Sequence, residues 1–234
     1  MPYTKRIVCL ANSRKPGGSC VAGKRVLADG SFGEWVRPVS ARATQEVSPQ
    51  ERSYANGGDP VLLDVMDIAM SKHVPHGHQT ENHLIDAAHP WAKVGRVTWE
   101  ELGSAVDAFP GTLWIDGNST YNGLYDKVPE AQATGLPNSL MLLEPDRLTV
   151  SVAVEGAEFD NPRSKVRADF TLAGKRYILA VTDPVIESVY RAKGNGQYPI
   201  AGARICVSLG GAYAGYCYKL VAAIITAARA QDQQ

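Results

Sequence analysis

The stretch from Arg6 to Ser40 constrains the fold more than any other. It holds three short apolar or β-branched runs, at residues 6–11, 20–28 and 33–39. A basic turn, Ser13-Arg14-Lys15-Pro16-Gly17-Gly18, separates the first two, and Asp29-Gly30 separates the second from the third. Glycine and Asp-Gly supply the backbone conformations of tight reversals, so runs of this length and spacing predict strands. The pattern continues. Val61 to Ala69, Leu113 to Ile115, Ser139 to Leu143, Leu148 to Glu155, Lys165 to Leu172, Lys175 to Val181, Arg204 to Leu209 and Tyr216 to Ile225 all read as strands. Ala173-Gly174 reads as a tight turn between two of them.

Helical signals are few. Residues 41–59 predict a short helix and a turn. Thr98 is placed to cap a helix reaching Phe109, with Glu101 three residues on as the second half of a capping box. Asp183-Pro184 opens another through Tyr190, with Asp183 as N-cap and Pro184 at the first helical position. Residues 72–91 read as a loop rich in His and Pro, 117–138 as a loop-like boundary, and Ala227 to Gln234 as a fraying polar tail. A parallel α/β sheet needs repeated crossover helices, which the chain lacks. The expectation is a mainly β protein of one or two small barrels.

At 234 residues the chain can bury a core without metal or disulfide support. No apolar run approaches the roughly 18 residues of a membrane span, and no signal-peptide core follows the first six residues. The expected compartment is the cytoplasm, where the four cysteines are reduced. The zero net charge hides an asymmetry. Residues 1–60 hold nine Lys/Arg against five Asp/Glu, residues 61–160 five against fifteen, and residues 161–234 ten against four. If the two ends lie side by side they form a basic face, which favours phosphate-bearing partners. A faint echo joins the ends. Cys9/Cys20 and Cys206/Cys217 share a spacing of eleven, and Gly18 and Gly215 fall at matching offsets.

Two stretches carry candidate binding chemistry. Ser13, Arg14, Lys15 and Gly18 compose a phosphate-cradle-like turn, although no P-loop motif is present. Lys24 and Arg37 add cations and Trp35 a stacking face; base stacking is worth about 1–3 kcal/mol per base. The second stretch holds Ser208, Gly210, Tyr213, Tyr216, Tyr218 and Lys219, with Tyr216 and Tyr218 on one strand face and Cys217 and Lys219 on the other. The structural alternatives are a solvated loop, a core tryptophan and a hairpin of packed tyrosines. All five histidines (His73, His76, His78, His83 and His89) lie in one segment beside Glu81 and Asp86, which invites a zinc hypothesis. No H-E-x-x-H is present, and a loop packed over a barrel explains them equally. The cysteines lack C-x-x-C spacing and read as buried thiols. No G-x-S-x-G, triad or carboxylate pair stands out.

The segments Cys9-Leu10-Ala11-Asn12-Ser13-Arg14-Lys15…Gly18-x-Cys20-x-Ala22-Gly23-Lys24 and Phe32-Gly33-x-Trp35-x-Arg37-Pro38-Val39-Ser40 resemble the opening motif of the dual OB-containing domain family of prokaryotes. His76-Gly77-His78-Gln79-x-Glu81-Asn82, Leu113-Trp114 and Ser208-Leu209-Gly210…Tyr218-Lys219-Leu220-Val221-Ala222 resemble its later parts. The resemblance implies two OB-type barrels and recognition of nucleic acid or nucleotide, in a setting of prokaryotic conflict systems. It supplies no catalytic residues. Gly211-Ala212 stand where it leads one to expect an acidic residue.

The combined expectation is two small OB-like β-barrels with a few short helices, at residues 1–120 (with the His/Pro loop inserted) and 121–234. The function expected is non-enzymatic binding of single-stranded nucleic acid or a nucleotide, without cofactor, metal or membrane. Arg14, Lys15, Lys24 and Arg37 would meet phosphates; Trp35, Tyr213, Tyr216 and Tyr218 would stack bases. The alternatives are a metal-dependent enzyme using the histidine loop and a structural adaptor for protein partners.

Overall fold

The computed structural model describes residues 2–15 and 17–232. Pro16 of the basic turn and the last two residues of the expected tail lie outside the described residues. The chain divides into two compact units. One takes Met1–Val106, Pro137–Ser139 and Ile225–Gln234, the other Asp107–Leu136 and Leu140–Ile224. The sequence reading divides the chain at 120/121; the units divide it at 106/107 and return the last ten residues to the first.

The first unit begins with β1 (Tyr3–Lys15), β2 (Gly18–Val26) and β3 (Phe32–Val39), joined by the two expected turns. A short helix, α1 (Pro49–Arg52), follows, with Ser48 and Glu51 forming a reciprocal capping box and Pro49 at its start. β4 (Asp64–His73), β5 (Asn82–Ile85) and β6 (Ala92–Arg96) complete the unit's strands. The sheet order is β1-β2-β3-β5-β4, and β1 also pairs with β4, so five strands close on themselves. β3 and β5 run parallel, while the other neighbouring pairs run antiparallel. Five strands in this arrangement make an OB-type barrel. Ile7, Val8, Leu10, Val21, Val36, Met66, Ile68 and Met70 fill its core. β1 is buried continuously from Ile7 to Ala11 and carries a bulge between Cys9 and Ala11.

The second unit contains β7 (Lys127–Pro129), α2 (Glu130–Ala133), β8 (Leu140–Leu143), β9 (Arg147–Glu155), β10 (Arg163–Leu172) and β11 (Lys175–Val181). Then come α3 (Pro184–Lys193), β12 (Gly196–Ile200), β13 (Ala203–Tyr213) and β14 (Tyr216–Thr226). The order β9-β10-β11-β14-β13, with β11 and β14 parallel, repeats that of the first barrel. A helix again falls between the third and fourth strands of the set. Among the described residues the edge at β9 is taken by β12 and the edge at β13 by β8. Leu148, Val150, Val166, Phe170, Tyr177, Leu179, Val207 and Val221 form this core.

Local signals are realised where they are chemically complete. Thr98 and Glu101 exchange backbone–side-chain bonds of 2.8 and 3.2 Å, though the helix they open is one 3-10 turn, Glu101–Ala105. The Asp183 carboxylate accepts from the backbone of Val185 and Ile186, and Pro184 starts α3. Ala173-Gly174 has φ of 47° and 79°, the left-handed pair of a tight hairpin.

Other expectations are corrected. Leu113–Ile115 is not a strand: Trp114 sits at φ 58°, outside the extended region. The His/Pro loop contains β5, and the segment 117–138 contains β7 and α2. The tail forms α4 (Ala227–Asp232), where the Thr226 hydroxyl accepts from Arg229 N–H, Ala230 is buried and the Ala230 carbonyl accepts from Arg96. The echo of cysteine spacings does not mark equivalent strands: Cys9 and Cys20 lie on the first hairpin of one unit, Cys206 and Cys217 on the last hairpin of the other. The segmental charge asymmetry also disappears on folding. The first unit carries 13 Lys/Arg against 12 Asp/Glu and the second 11 against 12. Acidic residues of the middle pair with cations of the ends, as in Arg6–Asp67 (2.7 Å), Arg37–Glu81 (3.2 Å) and Lys219–Asp116 (2.6 Å). No helix among the described residues is long and apolar enough to cross a membrane.

The β1–β2 ladder of the first barrel includes a close approach at Gly23, which pairs with Cys9 beside the bulge. A Cβ built there overlaps the Val8 carbonyl. Gly23→Ala is expected to lower stability by about 1–3 kcal/mol or more, since backbone must move to admit it. Urea unfolding measures this, and an unchanged midpoint would refute the close approach.

Candidate nucleic-acid interface

A cavity of about 750 Å³ opens in the first unit. The N-terminal end of β1 contributes Tyr3 and Lys5, and the start of β3 contributes Glu34 and Trp35. His73 ends β4, Thr80 and Glu81 belong to the β4–β5 connection, and His83 lies on β5. Pro137 and Asn138 close one side, tied in where the Thr80 hydroxyl donates to the Pro137 carbonyl at 2.7 Å. Alternation along the strands matters here. Val36 is fully buried in the core, so Trp35 on the opposite face reaches the cavity.

The aromatic wall is ordered by hydrogen bonds. His73 Nε2 donates to the Thr80 carbonyl at 2.6 Å, which fixes the ring at the end of its strand. The His73 and His83 rings lie 4.6 Å apart and 31° from parallel. Tyr3 meets His83 edge-on, with its hydroxyl 2.6 Å from Nδ1. Burial, then the nearby Lys5 and His73, push His83 down to about 4, so the imidazole is neutral at physiological pH. A neutral ring holds one N–H donor and one acceptor nitrogen, so Nδ1 can exchange a hydrogen bond with the Tyr3 hydroxyl in either tautomer. His83 is only 6% exposed, and it lines the cavity.

The carboxylates are not bare charges. Glu34 accepts from Lys5 at 2.6 Å. Glu81 is paired with the Arg37 guanidinium at 3.2 Å and accepts from the Ser139 hydroxyl, which in turn accepts from Arg37 at 2.9 Å. This buried network sits behind the cavity and holds the β4–β5 connection in place. The cavity therefore offers aromatic faces, a neutral imidazole and two neutralised acceptors, which suits a flat heterocycle with polar edges.

The expected site residues separate into three groups. Trp35 lines the cavity, with the Lys24 ammonium 5.6 Å from its ring centre. Lys24 itself is 8% exposed and donates to the Ala105 carbonyl at 2.7 Å, and Arg37 is 3% exposed. Both were expected at phosphates; both are instead buried, Lys24 on the Ala105 carbonyl and Arg37 on Glu81 and Ser139. Ser13, Arg14, Lys15 and Gly18 end β1 and start β2, away from the cavity lining. Ser13 is buried, its hydroxyl donating to the Cys20 carbonyl at 3.4 Å, whereas Arg14 is exposed and Lys15 reaches the Thr44 carbonyl.

The remaining candidates belong to the second unit. Ser208 and Gly210 lie within β13, where Ser208 pairs with Leu140. Tyr213 is 75% exposed beside the Ala214-Gly215 turn, 6.5 Å from the Tyr218 ring, and Lys127 lies 4.1 Å over Tyr216. Lys219 is 1% exposed and bonds Asp116 at 2.6 Å; Lys175 and Tyr177 bond the same carboxylate. Burial works against ionising Asp116, but these three hydrogen bonds outweigh it and hold its carboxyl below the usual range. Lys219 is thus a core ion-pair member and not a surface contact.

Sequence reasoning missed Tyr3, Lys5, Glu34, His73 and His83 as cavity residues. The available signal was the histidine cluster, of which His73 and His83 flank the β4–β5 connection. Among the described residues no group of three or more His, Cys, Asp or Glu is placed to hold a metal ion. Burial pushes the Cys9 thiol up to about 12.

Two consequences are measurable. Arg37→Ala leaves Glu81 buried and unpaired, so it is expected to cost about 3–5 kcal/mol of stability, read by chemical unfolding. A loss below about 0.5 kcal/mol would instead mark Arg37 as a surface residue. The second concerns pH. A free histidine titrates near about 6.5, whereas folded His83 does so near 4. Between these values the unfolded chain binds more protons, so the stability His83 contributes is complete above pH ~6.5 and is lost as pH falls toward 4. Urea midpoints of the native protein should drop through that window more steeply than those of His83→Gln; parallel profiles would contradict the neutral ring.

Neither a curated protein nor a solved structure matches the chain. The family model of the dual OB-containing domain matches residues 5–224, spanning the barrel and its repeated strand order. The chain belongs to the dual OB-containing domain family.

Proposed function

We propose that the first barrel binds single-stranded nucleic acid or a nucleotide, with one base seated against Trp35. The observation that carries this is the cavity itself: about 750 Å³, walled by Trp35, Tyr3, His73 and His83, on a closed OB barrel. OB folds commonly bind oligonucleotides and other oligomers across a strand face and the connections β1–β2 and β4–β5. Here the β4–β5 connection supplies Thr80 and Glu81 to the cavity, and the β1–β2 connection carries Arg14 and Lys15. Aromatic faces take a base irrespective of its identity, and nearby cations follow the backbone. Because Lys5 and Arg37 neutralise the two cavity carboxylates, an approaching phosphodiester meets little net repulsion. In the second unit the exposed Tyr213, with Tyr216, Tyr218 and Lys127, offers a further surface of the same chemistry.

The reading predicts salt-dependent binding of labelled single strands, DNA and RNA, followed by anisotropy at two ionic strengths. Trp35→Ala should weaken binding about tenfold or more, given the usual worth of one base stack. Binding that is absent, insensitive to salt, or unchanged by Trp35→Ala would sink the proposal.

A further inference from the structure

The basic turn between β1 and β2 is already filled. Glu46 folds its side chain over the turn glycines: a Cβ at Gly17 would lie 2.8 Å from Glu46 Oε1, and one at Gly18 would lie 2.8 Å from Glu46 Cγ and 2.6 Å from the Val47 carbonyl. Backbone bonds of 3.0 Å in each direction between Ser19 and Val47 hold the segment there. The carboxylate is 6% exposed, and its Oε2 is buried with no hydrogen-bond partner. A hydrogen bond with the Thr44 side chain, then its own backbone N–H, keeps its carboxyl below the usual range, with Lys15 and Arg42 adding to the effect. Arg42 approaches Oε1 only to 4.0 Å, and Lys15 is engaged with the Thr44 carbonyl. An ionised oxygen without a donor, beside two cations that it does not fully engage, is an unfavourable arrangement for the folded chain alone. It is understandable if the place is built for a larger anion with more acceptor oxygens.

We propose that this turn is a phosphate site which the chain keeps occupied with Glu46, and that an incoming phosphate group displaces the carboxylate. Glycines at 17 and 18 leave room for an anion to approach the backbone once the side chain swings out. Lys15 and Arg42 then turn to the phosphate, whose oxygens satisfy both. Two anions cannot share the place, so Glu46 raises the concentration of phosphate needed and acts as a built-in competitor. The identification of that phosphate as one from a nucleic-acid backbone rests on the function proposed above; the anion site does not.

The test uses the full chain, ¹⁵N-labelled, titrated with inorganic phosphate against chloride of equal ionic strength. In Glu46→Gln, the Gly17 and Gly18 amide signals should shift saturably with phosphate, at about tenfold lower concentration than in the native protein. No shift in the variant, or an equal shift with chloride, overturns the site. If Glu46→Gln does not fold, Lys15→Ala carries the test, since it should abolish the native protein's phosphate response; an unaltered response overturns the proposal. With a labelled single strand, Glu46→Gln should bind about threefold to tenfold tighter, with a log–log salt slope steeper by about 0.7 for one added phosphate contact. A phosphate response without strand binding leaves the anion site standing and removes the nucleic-acid reading. Strand binding quenched at Trp35 but indifferent to Glu46→Gln keeps the nucleic-acid reading and overturns the identification of the anion as a backbone phosphate.

Discussion

The first barrel depends on β1 pairing along both of its edges. β2 takes one edge and β4 the other, and without the second ladder the five strands would be an open sheet. The β4 ladder runs along Tyr3 to Val8 and the β2 ladder along Ile7 to Lys15, with a bulge between Cys9 and Ala11 where the strand passes from one to the other. The β4 ladder is also what brings the start of β1 beside the end of β4, and so Tyr3 beside His83. The cavity is therefore a product of closure: its walls come from β1, β3, the β4–β5 region and residues 137–138, segments far apart in the chain.

Charge pairing is the second organising constraint. Basic ends and an acidic middle, laid out along the sequence, suggest a polarised molecule with a phosphate-seeking face. Folding places the acidic segment between its own cations, and each unit is nearly neutral. The deepest of these pairs, Arg37–Glu81 and Lys219–Asp116, are also hydrogen-bonded to Ser139 and Tyr177, so neither leaves a bare buried charge. What the pairing leaves is local: an aromatic groove whose carboxylates are neutralised by Lys5 and Arg37.

Much of this site lies outside what residue type alone reveals. Lys24, Arg37 and Lys219 carry the charge that suggests phosphate contact, yet all three are buried, because alternation along a strand cannot say which face a barrel will cover. Trp35 stands out by residue type and lines the cavity, whereas Tyr3, His73 and His83, which line it too, do not stand out as its companions, since nothing local links residues 3, 35, 73 and 83. The histidine cluster marks a segment that lines the cavity: His73 and His83 stack and hydrogen-bond there, and among the described residues no group of three or more ligand types is placed to hold a metal ion.

By itself the sequence determines most of the long strands and their turns, though not β5, β7 or the irregular Leu113–Ile115, together with the Thr98–Glu101 box, the Asp183 cap and the family. These rest on interactions within a few residues, or on motifs short enough to be read directly. The tertiary structure alone decides the closure at β1–β4, the strand order that makes an OB barrel, the partners of the buried cations, and the occupation of the basic turn by Glu46. Each of those joins residues tens of positions apart. Their pairing is fixed by which edges meet when the sheet curls, a property of the whole barrel and of no single segment.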